Sequence, residues 1–108
     1  MSITRIVYYT GENGSARRFV RNMEESGAAS LIRREEGNER YEYFFSATDP
    51  ETVMLVDQWR DEEAIDVHNR SLMKKDVLEQ RKQYDLKLRV ERYYSELEAE
   101  DNNPGDYY

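Results

Sequence analysis

Cysteine is absent from the 108 residues, which excludes a disulfide framework, a thiolate metal site and a thiol nucleophile, and fits a reducing compartment. Histidine occurs once, at position 68, and one imidazole with no acidic cluster beside it in the chain is no metal ligand set. Long apolar runs are missing too. Nothing approaches the ~20 residues needed to span a bilayer, and Ser2 to Thr10 lacks the basic start and long apolar centre of a signal peptide. A cytoplasmic protein with no membrane partner is expected. Positive charge is in deficit: 16 Lys and Arg stand against 23 Asp and Glu, for a net charge of −7. Phosphate binding needs a basic face, and here the basic residues are interleaved with acids, so nucleic acid is not an expected partner. The length suits one domain, marginal as an isolated small sheet with few helices, and oligomerisation would help it.

What is present concentrates between Tyr41 and Asn69. Thr48-Asp49-Pro50-Glu51 is a turn, because Pro presets φ at the second position and Asp before it bonds back to the backbone. Tyr41, Tyr43, Phe44 and Phe45 lie on one side of it and Val53, Met54, Leu55 and Val56 on the other, which reads as an antiparallel hairpin. After Trp59 the period changes. Asp61 is suited to cap a helix whose first turn carries Glu62 and Glu63, and Ala64, Ile65, His68 and Leu72 follow at three- and four-residue spacing. His68 therefore falls on the apolar face.

Before the hairpin, Ile3 to Tyr9 is β-branched and aromatic and stops at Gly-Glu-Asn-Gly, so it forms the first strand. Asn13 or Ser15 then caps a helix with Ala16, Phe19, Val20 and Met23 in one stripe. Gly27 ends or bends it, Leu31 and Ile32 prolong the helical path, and Arg33-Arg34-Glu35-Glu36 reads as a solvated face. Beyond His68 a kink is expected near Asn69 to Ser71. Ser71 recaps a continuation with Met73, Val77, Leu78 and Tyr84 on one side and Lys74, Lys75, Glu79 and Lys82 on the other. Leu86, Leu88 and Val90 alternate with Lys87, Arg89 and Glu91, the period of a strand with one buried and one wet face. Residues 1–94 form the domain, and 95–108 an acidic tail that is disordered or packs on a neighbouring subunit.

The order β-α-β-β-α-β is the ferredoxin-like split βαβ arrangement of the α+β class: a four-stranded antiparallel sheet with the helices on one face. The second and third strands are apolar on both faces, and helices cover only one, so a second copy packed sheet to sheet is expected to give a twofold homodimer. Alternation alone leaves open whether Val53, Leu55, Asp57 and Trp59 or Met54, Val56, Gln58 and Arg60 face the helices.

The run from Arg34 to His68 resembles the antibiotic biosynthesis monooxygenase family, small dimeric α/β barrel proteins that include quinol monooxygenases. The resemblance rests on Gly37 leading into a strand with Tyr41, the Asp49-Pro50 turn, Asp57 two before Trp59, and Glu63, Ala64 and His68 on the next helix. Asp57 stands where Glu is common, and Ser71-Leu72 replaces a frequent Ser-Pro. The resemblance implies oxygenation of a small aromatic substrate, such as a quinol, with no flavin, haem or metal cofactor. His68 is then the catalytic base, suited by its reference pKa of ~6.5, and Trp59, Asp57 and one of Tyr41 or Tyr43 hold the substrate. Each residue also has a plain packing role open to it: His68 as a hydrogen-bonded core residue, Trp59 as a core anchor, Asp57 as a bond to a neighbouring helix or subunit. A haem-degrading branch of the family resembles a different pattern, with an Asn on the first strand and a His beyond position 74, and this chain has neither. The other class to weigh is a non-catalytic small-molecule-binding dimer of the same fold.

Overall fold

The computed structural model describes residues 1–95; the expected acidic tail otherwise lies outside the described residues. The chain runs β1 (Ser2–Thr10), α1 (Ser15–Glu25), α2 (Ala28–Arg33), β2 (Asn38–Phe45), β3 (Thr52–Trp59), α3 (Glu62–Asn69), α4 (Leu72–Gln83) and β4 (Lys87–Ser95). The sheet order is β2-β3-β1-β4 with every neighbouring pair antiparallel. This is the split βαβ fold with each helical crossover broken in two.

Both breaks follow from local chemistry. Gly27, at φ 86°, sits in the left-handed region open to glycine and separates α1 from α2. Between α3 and α4, Ser71 takes extended angles and its hydroxyl accepts from the Lys74 amide at the new N-terminus. The start of α3 is capped as expected, with Asp61 accepting from the Ala64 amide at 2.9 Å. Asp61→Ala should destabilise the protein, read as a lower urea midpoint at unchanged slope. At α1 the expected cap is different: neither Asn13 nor Ser15 caps through its side chain, the N-cap is Gly14 at φ 79°, and the Ser15 hydroxyl accepts from the Glu12 amide. The left-handed Asn13-Gly14 turn aims the Gly14 amide at the Glu51 carboxylate instead.

The register settles which face is inward. Ile3, Val7 and Tyr9 pair across with Trp59, Leu55 and Val53, and Tyr41 and Tyr43 with Asp57 and Leu55. The apolar residues among these, with Phe19, Val20, Met23 and Ile32 from the helices, make the core, and Tyr43 packs against it half-buried. The α1 stripe lies inside as expected. Two expectations fail on particular side chains. Leu78 is exposed whereas Lys74 turns towards the sheet, and Leu88 and Val90, on the edge strand β4, are 39% and 52% exposed. The opposite face, with Ile6, Tyr8, Phe44, Met54 and Val56 at its centre, has no helix over it among the described residues.

Candidate functional site

A cavity of about 70 Å³ lies between α3, α4 and the inner face of the sheet. The sheet contributes Arg5, Val7 and Tyr9 from β1, Tyr41 from β2, Leu55 and Asp57 from β3, and Leu88 and Val90 from β4. The helices contribute His68, Lys74, Val77 and Arg81.

His68 is 3% exposed, near the end of α3, its ring packed against Trp59 with centroids 4.6 Å apart. Its Nδ1 lies 2.6 Å from Oε2 of Glu35. A carboxylate only accepts, so Nδ1 carries the proton and Nε2 is left as the acceptor for a ligand. Burial lowers the imidazole's pKa from its usual range, and the fields of Lys74 and Arg5 add to this while Glu35 opposes it. The ring is thus held neutral, oriented and basic at one nitrogen. Glu35 arrives through the turn before β2: Gly37 has φ 86°, and a Cβ there would meet the Ala64 Cβ at 2.5 Å. That close approach docks the Glu35–Gly37 corner against α3. The run from Arg33 to Glu36, read as a solvated face, therefore supplies an oriented carboxylate, and Arg33 itself donates to the Tyr41 carbonyl and to Glu24.

Asp57 is bound by a second neighbour. Arg5 Nε and one terminal nitrogen donate to its two oxygens at 2.9 and 2.8 Å, with the carboxylate 2% exposed and the Arg5 side chain 15%. Burial opposes the guanidinium charge, but the bonds and field of Asp57 outweigh it and raise the Arg5 pKa. A bidentate pair of this kind holds Asp57 against the floor of the cavity.

The phenols form a relay at the side. The Tyr41 hydroxyl lies 2.9 Å from that of Tyr43, their rings edge to face. Burial pushes the pKa of both well up, as it does for Tyr9, where Asp57 adds to the effect. All three stay neutral and can donate or accept.

Of the residues expected to bind substrate, the structure brings Tyr41 and Asp57 together with His68 around the cavity. Trp59 and Tyr43 do not line it. Trp59 is fully buried behind the imidazole, its indole N–H without a partner among the described residues, and Tyr43 meets the cavity only through Tyr41. Glu35, Arg5, Tyr9, Lys74 and Arg81 were not expected there, and nothing in their local sequence marks them. No group of three or more His, Asp or Glu among the described residues could hold a metal. A larger hollow of about 340 Å³ beside Thr10–Ser15 and Tyr84 is shallow, and the amide of Gly14 beside it is taken by Glu51 at 3.0 Å.

The family model described as antibiotic biosynthesis monooxygenase matches residues 2–80. No curated protein matches the sequence. Among solved structures, a protein of Deinococcus radiodurans assigned as an antibiotic biosynthesis monooxygenase superposes with a TM-score of 0.77 at 15% identity, covering 94% of this chain and 98% of that one. A Nitrosomonas europaea protein given the same assignment scores 0.77 at 17% identity over 87% and 89% of the two chains. A conserved protein of Methanosarcina mazei Go1 scores 0.76 at 21% identity over 89% and 94%. At these identities the structural likeness speaks for the fold.

Proposed function

Because the chain belongs to the antibiotic biosynthesis monooxygenase family, we propose that it is a dimeric, cofactor-independent monooxygenase oxidising a quinol or polycyclic phenol with dioxygen, with His68 as the base. The observation that carries this reading is the Glu35–His68 pair at 2.6 Å beside a cavity. Nε2 takes a proton from the bound phenol, and Glu35 steadies the imidazolium that forms. The phenolate is electron-rich enough to pass an electron to dioxygen, and the apolar walls at Val7, Leu55 and Val77 keep water from competing. For a hydroquinone, one oxygen atom enters a ring C–H bond. The other takes the two hydroxyl hydrogens of the diol and leaves as water, so the product is a hydroxyquinone. Tyr41 and Asp57 supply polar contacts to the ring substituents, and Trp59 keeps the imidazole plane fixed. Pockets that enclose drug-sized ligands run from ~300 Å³, so a quinol enters this one as the side chains at its open side, Lys74, Arg81 and Leu88, turn outward.

Oxygen uptake with a panel of hydroquinones tests the reading. Uptake with stoichiometric hydroxyquinone supports it; no uptake with any phenol, together with ligand-dependent quenching of Trp59, would establish the non-catalytic binding dimer instead.

The dimer rests on the face of the sheet that no helix among the described residues covers. Met54 sits at its middle, paired across with Tyr8 and Phe44, and a specific interface would bury ~800 Å² or more of each copy there. Met54→Lys should convert the dimer to a monomer in light scattering with the circular dichroism spectrum unchanged. A wild-type monomer at micromolar concentration would sink the proposal.

A further inference from the structure

On α4, the residues that face the cavity are Lys74, Val77 and Arg81, the three- and four-residue spacing of one helical stripe. On a helix packed over a sheet that stripe is ordinarily apolar. Here two of its three positions are cationic, in a chain whose net charge is −7. Several of the more exposed arginines, at 33, 40, 60, 89 and 92, pair with a carboxylate. The side chains of Lys74 and Arg81 border the cavity yet make no ion pair or hydrogen bond among the described residues, and the cavity's one carboxylate, Asp57, is taken up on both oxygens by Arg5. The cavity therefore holds three cations against one acid. Burial lowers the pKa of the Lys74 ammonium, Arg5 lowers it further, Asp57 opposes this and Arg81 adds to the lowering, so charge of the opposite sign is wanting at this spot. Tyr9, Tyr41 and Leu88 complete walls suited to a ring.

We propose that the cavity takes an anionic aromatic ligand, a phenol or hydroquinone bearing a carboxylate or comparable acid group, and that Lys74 and Arg81 receive that group. This rests on the cavity being the substrate site and names the substrate class. An acid group placed between two cations lining one cavity forms charge-assisted hydrogen bonds, roughly twice as strong as neutral ones. It also leaves the ring to the aromatic walls and to Nε2 of His68. A neutral hydroquinone of the same size leaves both cations unsatisfied.

Gentisate, a hydroquinone with one ring carboxylate, and gentisamide, its uncharged amide, separate the charge from the ring. In calorimetric titrations of the whole protein at neutral pH, gentisate is expected to bind at least about tenfold more tightly, with a preference that shrinks as salt is raised. The Lys74→Met, Arg81→Met double variant keeps the length and loses the charges. It should bring the two affinities together chiefly by weakening gentisate, and Lys74→Gln alone should remove part of the preference if the double variant does not fold. Equal affinities in the wild type, a preference that survives removal of both charges, or no gentisate binding at millimolar concentration would each overturn the proposal. Binding is read without turnover, so tight gentisate binding with no oxygen uptake would end the monooxygenase reading and leave this one standing. Uptake with neutral hydroquinones and no preference for the acid would do the reverse.

Discussion

Replacing His68 with Gln is expected to lower oxygen-dependent turnover by about 10² to 10⁴, the range for a positioned acid-base group, with KM nearly unchanged. Gln fills most of the space against Trp59, and its amide can still donate to Glu35, so the fold should survive. The wild-type rate should fall as the medium is acidified and the imidazole becomes charged. Because burial lowers the His68 pKa, that fall should come below the usual histidine range of ~6.5. Glu35→Gln keeps an acceptor for Nδ1–H but removes the charge that opposes this lowering. It should therefore reduce the rate by about tenfold or more and move the acid limb to still lower pH. The substrate's own ionisation produces a similar profile, so wild type and variants must be compared with one substrate across pH. Equal rates for wild type and the His68 variant would make the residue a packing element.

The largest expected loss of stability is at Asp57. Asp57→Ala leaves the Arg5 guanidinium, 15% exposed, without its carboxylate, and breaking a buried pair from one side costs ~3–5 kcal/mol. For a chain of this size the melting temperature should drop by about ten degrees or more. Replacing both partners with apolar residues, Arg5→Met with Asp57→Leu, should recover most of the loss, since the cost lies in the stranded charge rather than in the missing bond. If Asp57→Ala melts within about 1 kcal/mol of wild type, Arg5 has found water and the pair is not what holds β1 and β3 at this point.

The architecture was legible because its signals are local. The turn at Asp49-Pro50, the cap at Asp61 and the restart at Ser71 each act within three or four residues, and their order allows few topologies. His68 was legible from helical periodicity, whereas Tyr41 and Asp57 came from the family resemblance, because alternation left the inward face of β3 open. Lys74 was assigned to the wet side by its charge, although it lies three positions before Val77 and so shares its helical face towards the cavity. Glu35 meets His68 across 33 positions, and no spacing rule reaches that far. Trp59 and Tyr43 sit on the same inward face as Asp57 and Tyr41. A period of two orders residues by face and says nothing about which of them borders a void.

The strand order β2-β3-β1-β4 sets when the protein can fold during synthesis. β1 is the first strand made, yet it is central: its partners are β3, from residue 52, and β4, from residue 87. Until Lys87–Ser95 emerges, β1 presents a row of unpaired amides and carbonyls on the side that β4 will occupy, an edge that invites pairing with other chains. Closing the sheet joins segments some 85 positions apart, Thr10 to Lys87 at one end and Ser2 to Ser95 at the other. Long-range pairing of this kind belongs to the slower regime, milliseconds to seconds. A nascent chain stalled before residue 87 should therefore aggregate or recruit a chaperone, and one released after residue 95 should not.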